Sequence, residues 1–139
     1  MSLNRIIKIV FFIGFISYNV FANAQKKEFG KLITAIATVE STLNEKAVSK
    51  DCVGYLQIRP ILVKECNDIL KKKKSKKRYT LNDRYSKKKS IEMFYIIQEY
   101  FNPSYNIEKA LCIWNAGAYS KTKPTKYINK VMKVYKNLK

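Results

Sequence analysis

The sequence predicts a small, mainly α-helical domain with one short β-like or irregular segment after its first helix. Three observations carry this. Apolar residues recur at helical spacing through most of the chain after residue 28. The three prolines, Pro60, Pro103 and Pro124, fall where helices begin, break or connect. The length, 139 residues, suits one domain once a targeting segment is set aside.

Residues 1–24 read as that targeting segment. Arg5 and Lys8 give a positive start, and Ile9 to Val20 is nearly continuously apolar. Ala22-Asn23-Ala24 is a small-x-small cleavage site before Gln25. The apolar run is short for a membrane span, so an exported chain with no stable span after cleavage is expected, periplasmic or extracellular. An uncleaved anchor or a buried first helix is the alternative. The mature domain would cover residues 25–139.

Within it, Leu32, Ile36, Val39 and Leu43 predict a helix over about 29–43. A polar stretch, Asn44 to Asp51, precedes the partly β-like Val53–Ile58. Pro60 suits the first turn of a second helix, with Ile61, Leu62, Cys66, Ile69 and Leu70 on its apolar side. Residues 71–89 hold 11 basic residues in 19 and read as a solvated, mobile loop offering a weakly selective contact to anionic polymers. A third helix is expected over about 90–101 and is broken by Asn102-Pro103. A fourth starts at the N-cap Asn106 and ends near Gly117. Ile128, Val131, Tyr135 and Leu138 mark a last one.

Composition excludes several chemistries. Histidine is absent, which removes histidine general bases, Ser-His-Asp triads and most zinc sites. Four glycines make no phosphate-binding or dinucleotide pattern. No cofactor or metal is expected, because three thiols without histidine are an incomplete zinc set. The chain carries +18, and +16 without the leader, since Arg5 and Lys8 leave with it and no acidic residue does. Such a charge points to an anionic partner: nucleic acid, a membrane surface or an acidic envelope polymer. Export argues against chromosomal DNA, so no specific nucleic-acid partner is expected. Of the three cysteines, Cys52 and Cys66 flank a turn and a helix start and could close a disulfide, although spacing does not fix connectivity. Cys112 reads as a small buried hydrophobe.

Glu40 is the residue on which chemistry can be built. It follows Ala35, Ile36, Ala37 and Val39 near the end of a strongly apolar helix. Lost hydration would raise its pKa and let it hold a proton to donate. By position alone, a charge on the polar face of an amphipathic helix explains it better. The neighbourhood reverses that. Glu40-Ser41-Thr42-Leu43-Asn44 leads to Ala47-Val48-Ser49, then Gly54-Tyr55-Leu56-Gln57-Ile58. Ile113-Trp114-Asn115-Ala116-Gly117 and Thr125-Lys126-Tyr127-Ile128 come much later. This ordered set resembles the soluble lytic transglycosylase (SLT) family, with its Glu-Ser-x-x-Asn-Pro-x-Ala-x-Ser, Gly-Leu-Met-Gln-Ile, Ala-Tyr-Asn-Ala-Gly and Thr-x-x-Tyr-Val-like segments. Each motif alone is weak; four in order, over about residues 30–135, are specific.

The resemblance implies a lysozyme-like domain that cuts peptidoglycan glycan strands. Glu40 falls on the family's catalytic acid/base, Ser49 on the serine near the reacting sugar, and Gln57 on the glutamine lining the cleft. Trp114 and Asn115 fall on the Tyr-Asn pair, and Tyr127 on the cleft-facing tyrosine. It implies cleavage between N-acetylmuramic acid and N-acetylglucosamine by one carboxyl, assisted by the substrate's N-acetyl group and leaving 1,6-anhydro ends. The departures are Glu45 in place of proline, which should loosen that turn, Tyr55-Leu56 for Leu-Met, a Glu40–Gln57 spacing one residue shorter than the commonest, and Trp114 for tyrosine. Each carried-over residue keeps a plainer alternative: Trp114 and Tyr127 as core, Asn115 as shaping a helix end, Ser49 as serving a turn. Two other functions stay open. One is a goose-type hydrolytic muramidase on the same fold, with Asp51 activating water. The other is a non-catalytic cationic protein attached to envelope polymers through residues 71–89.

Overall fold

The computed structural model describes residues 24, 25 and 27–138. The expected leader lies outside the described residues except for Ala24. The chain divides into two compact units, 1–30 and 31–139. In the first, residues 24, 25 and 27–30 are helical. Everything below concerns the second.

That unit opens on helix α1, residues 31–41 here. Leu32, Ile33, Ile36 and Ala37 are buried along one stripe. The helix stops two residues earlier than its apolar spacing predicts. Thr42 and Leu43 take left-handed backbone, φ 51° and 65°, and the Leu43 amide returns to the Ala37 carbonyl at 3.2 Å. The buried Ser41 hydroxyl donates to the Tyr55 carbonyl at 2.8 Å, tying this helix end to the next segment.

That segment is a two-stranded antiparallel ribbon, β1 (Val48–Ser49) and β2 (Cys52–Val53), closed by a further bridge between Val53 and Ile58. Gly54 makes its compactness possible. Its φ is +80°, and a Cβ there would lie 1.9 Å from the Arg84 carbonyl oxygen. Arg84 clamps the same ribbon from outside: its buried guanidinium donates to the carbonyls of Asp51 (3.0 Å), Ile58 (3.1 Å) and Leu81 (2.8 Å).

Helix α2 (Pro60–Lys72) starts on proline as expected and buries Val63, Cys66, Ile69 and Leu70. It packs on α3 (Lys87–Phe101), whose Met93, Phe94 and Ile97 complete the centre of the core. Ser86 caps α3 through the Lys89 amide. The Glu45 carboxylate accepts from the Lys87 amide at 3.2 Å. The residue that replaces the motif's proline thus anchors its turn to the positive end of a helix instead of loosening it. Helix α4 (Ile107–Ala116) is capped by Asn106 and stopped by Gly117 at φ +93°. Gln98 and Asn102, both fully buried, stitch the α3–α4 corner by donating to the Ala110 and Asn106 carbonyls. Helix α5 (Thr125–Asn137) packs on α4 and buries Ile128, Val131 and Tyr135. No described helix is long and apolar enough to cross a membrane.

The basic run is where expectation and structure differ most. It is not an open loop. Lys71 and Lys72 finish α2, Leu81–Tyr85 form a 3₁₀ helix, and Lys87–Lys89 begin α3. Thr80 and Asp83 form a reciprocal cap at the 3₁₀ start. The Asn67 side chain holds the Tyr79 backbone from both sides, at 2.8 and 2.9 Å. Lys77 pairs with Glu92, Lys89 with Asp83, and Lys73 more loosely with Glu99 at 3.9 Å. Arg84 is structural. The segment is ordered because local carboxylates and carbonyls take up much of its charge.

Candidate active site

Glu40 sits on the last turn of α1, half-buried, in the wall of a cleft of about 330 Å³. Gln57 and Arg59 from the ribbon and the start of α2 line the same cleft, and so do Trp114 and Asn115 from the end of α4. The sequence-based expectation that these distant segments converge is met for Glu40, Gln57, Trp114 and Asn115.

The electrostatics of Glu40 follow from three elements. Burial raises its pKa above the ordinary glutamate value; the Tyr127 hydroxyl, Lys130 and Arg59 oppose that rise and leave it incomplete. The hydroxyl of Tyr127 is enclosed and has no formed hydrogen bond among the described residues. Burial, followed by the charge of Glu40, drives the Tyr127 pKa far upward, so this phenol stays a neutral donor. The two groups face each other closely enough to couple without a well-shaped bond. The arrangement is a half-buried carboxyl of raised pKa flanked by one neutral donor and two cations.

Gln57 has left-handed backbone, φ 50°, and its amide nitrogen donates to Ala47 and Gly54 at 3.1 Å each. Its carbonyl oxygen remains as an acceptor on the cleft wall. Trp114 stands between the core and the cleft. One side packs against the core ring of Phe94, centroids 4.9 Å apart, while the half-buried indole lines the cleft. Asn115 is exposed beside it on the last turn of α4. Ser49 is not brought to this place. It lies exposed on β1 opposite Cys52 and does not line the cleft. Asp51, the carboxylate considered for activating water, is also exposed and outside the cleft lining.

The Cys52–Cys66 disulfide is not formed; all three cysteines are free. Cys66 turns into the α2–α3 contact, where its thiol donates to the Met93 carbonyl at 3.6 Å and burial pushes its pKa up to about 12. Cys52 instead lines the cleft against Arg59. Cys112 is half-buried on α4. No group of three or more metal-ligating side chains occurs among the described residues.

Sequence reasoning overlooked Arg59, which follows the Gln57-Ile58 motif directly and is a cation acting on Glu40. It also overlooked Phe101 and Tyr119, which extend the cleft wall. Adjacency to a motif was the available signal for Arg59 and for Tyr119, two residues past Gly117. Phe101 had none, because it reads as an ordinary apolar helix end.

Comparison with known proteins supplies the family. The family model described as "Transglycosylase SLT domain" matches residues 17–137. No curated protein and no solved structure matches. The mainly helical fold with its small two-stranded sheet is consistent with the lysozyme-like architecture of that family. Its members act on peptidoglycan glycan strands and are typically periplasmic or extracellular. With a match over nearly its whole length, this chain belongs to the SLT family of lytic transglycosylases.

Proposed function

We propose that Glu40 is the single acid/base of this enzyme and that its product carries 1,6-anhydro-muramic ends. The observation that carries the reading is the half-buried Glu40 carboxyl on the cleft wall, its pKa raised, opposite an enclosed Tyr127 hydroxyl lacking a well-formed partner. Glu40 protonates the oxygen joining N-acetylmuramic acid to N-acetylglucosamine, and the C1–O bond breaks. The positive charge at C1 is met by the substrate's own N-acetyl oxygen. Glu40, now ionised, takes the proton of the muramic C6 hydroxyl as O6 bonds to C1. The proton count closes and no water is consumed. Burial favours the protonated form of Glu40, while Tyr127, Lys130 and Arg59 favour the ionised form that follows proton donation.

The charge pattern supports one working carboxylate. The charged groups acting on Glu40 are both cationic, Lys130 and Arg59. Retaining and inverting glycosidases need a second carboxylate across the sugar; Asp51 is outside the cleft lining, and Glu65 of α2 lines the cleft but is not among the groups acting on Glu40. Gln57, Trp114 and Asn115 hold the strand, the indole face against a sugar ring and the two amides at its polar groups. Ser49 would need a shift of the ribbon to take part.

Mass spectrometry of digested peptidoglycan tests the product: anhydro-muramic ends are expected, and reducing ends alone overturn the single-carboxyl mechanism in favour of hydrolysis. Unchanged lysis by Glu40→Gln would remove Glu40 from the chemistry.

The basic surface has a second, weaker role in this reading. Lys74, Lys76 and Lys88 enter no ion pair among the described residues, and with the rest of residues 71–89 they would hold the exported enzyme to anionic envelope polymers by screened, long-range attraction.

A further inference from the structure

The cleft continues past Trp114 and Asn115. Its wall runs on through Ala116–Tyr119 to Phe101 at the end of α3, with Ile61 of α2 also lining it. Tyr119 is 77% exposed, an unusual situation for a large aromatic ring. It is not loose, however. Its ring meets Phe101 edge-on at 5.4 Å, and Phe101 meets Tyr100 edge-on at 4.8 Å. Lys72 lies over the Tyr100 ring at 5.3 Å and donates to its hydroxyl at 3.4 Å. The result is an aromatic ladder braced from behind by a cation, with its last ring facing solvent at the mouth of the cleft.

A single exposed tyrosine would mean little. A braced one, continuous with the place where a glycan is cut, has the chemistry of a sugar platform: an apolar ring face for sugar C–H groups and a phenol for hydroxyls or amides. Because Phe101 already orients the ring, a ligand loses little to ordering it. The strand threading this cleft is longer than the two sugars flanking the cut bond, so it must leave along some wall. We infer that Tyr119 and Phe101 form a distal subsite that stacks an N-acetylated hexosamine ring of the same strand, set apart from the sugars beside Glu40. This rests on the reading that the cleft takes glycan; it adds which residues grip the strand away from the reaction.

The test uses chitooligosaccharides as probes, in the Glu40→Gln protein so that binding is separated from turnover. Titration calorimetry should show the hexamer binding more tightly than the trimer. Tyr119→Ala should weaken hexamer binding roughly three- to tenfold, the range one aromatic stacking contact supplies, and leave the trimer unchanged. Tyr119→Phe should keep most of the affinity. In the parent enzyme acting on intact peptidoglycan, Tyr119→Ala should raise KM and leave kcat unchanged. Equal hexamer affinity with and without Tyr119, or no hexamer binding at all, overturns the subsite. The two readings fail separately. Glu40-dependent lysis indifferent to Tyr119 leaves the chemistry standing and removes the platform. Tyr119-dependent hexamer binding without lysis does the reverse.

Discussion

Two regions of this chain drew attention as functional, the surroundings of Glu40 and the basic run 71–89, and the fold treats them in opposite ways. In the basic run, many polar groups are engaged by the fold itself. Arg84 is committed to three carbonyls, Lys77 and Lys89 are paired, and the 3₁₀ start is capped reciprocally. Around Glu40, the enclosed Tyr127 hydroxyl lacks a well-formed hydrogen bond, and the side chains of Gln57 and Asn115 belong to residues lining a cleft. Charge density marked one region and burial the other. Unspent hydrogen-bonding capacity is the better guide to where a substrate goes, because leaving a buried donor unmade costs about 1–3 kcal/mol and needs a reason.

The largest test of that contrast is Glu40→Gln. It should cut release of soluble muropeptides by at least about 100-fold, the contribution of a general acid/base, with the circular-dichroism spectrum unchanged. The same substitution should raise the melting temperature at neutral pH. The folded-state pKa of Glu40 is raised, so its contribution to stability is fully present below the unfolded pKa and is lost as pH rises through the folded value. The mutant's thermal advantage should therefore vanish in acid. A mutant less stable than the parent at neutral pH would make Glu40 a structural residue.

Next in size is Arg84→Met, which should cost about 3 kcal/mol of stability in urea titration by leaving the Asp51 carbonyl without its guanidinium donor and the Ile58 carbonyl with the Val53 amide alone. Its neighbour in sequence terms, Lys74→Gln, should change stability by less than about 0.5 kcal/mol. Equal effects would erase the distinction between structural and free charge in this run.

Tyr127→Phe should lower activity by about tenfold, a fraction of the full acid/base contribution, and move the alkaline limb of the pH–rate profile upward. The hydroxyl lowers the Glu40 pKa, so removing it lets that pKa rise further, and Glu40 stays protonated to higher pH. A limb that stays put would show that the two groups are not coupled. Smallest of all, joint replacement of Lys74, Lys76 and Lys88 by Gln should reduce wall association by a fewfold at low salt and not at high salt, read in a pull-down with purified walls.

Much of this was legible in the sequence, for physical reasons. Helical spacing located α2, α4 and α5 because their buried stripes repeat regularly, and Pro60, Asn106 and Gly117 act locally at helix ends. The end of α1 was misplaced because Leu43 keeps the apolar spacing while its backbone has already turned left-handed and its side chain is 48% exposed. The motifs brought Glu40, Gln57, Trp114 and Asn115 to one cleft. They did not reveal that Ser49 stays on the outer face of a ribbon, nor that Cys66 points away from Cys52 into the α2–α3 contact, since both depend on which way a side chain faces. Residues 71–89 were misjudged because charge repulsion is visible along a sequence, whereas the carboxylates that offset it, Glu92 and Glu99 among them, and the Asn67 amide that holds the Tyr79 backbone come from other elements.

Glu40 belongs to α1 and Tyr127 to α5, the first and last helices of this unit, and that separation has a consequence for the cell that makes the enzyme. A wall-cutting activity is hazardous to its producer if it appears early or in the wrong compartment. A chain ending before Tyr127 holds only one half of the Glu40–Tyr127 pair. While synthesis is incomplete, the carboxyl exists without its phenol and the cleft without the end of α4. On the reading proposed for Glu40, cleavage then requires the final helix to be made and docked.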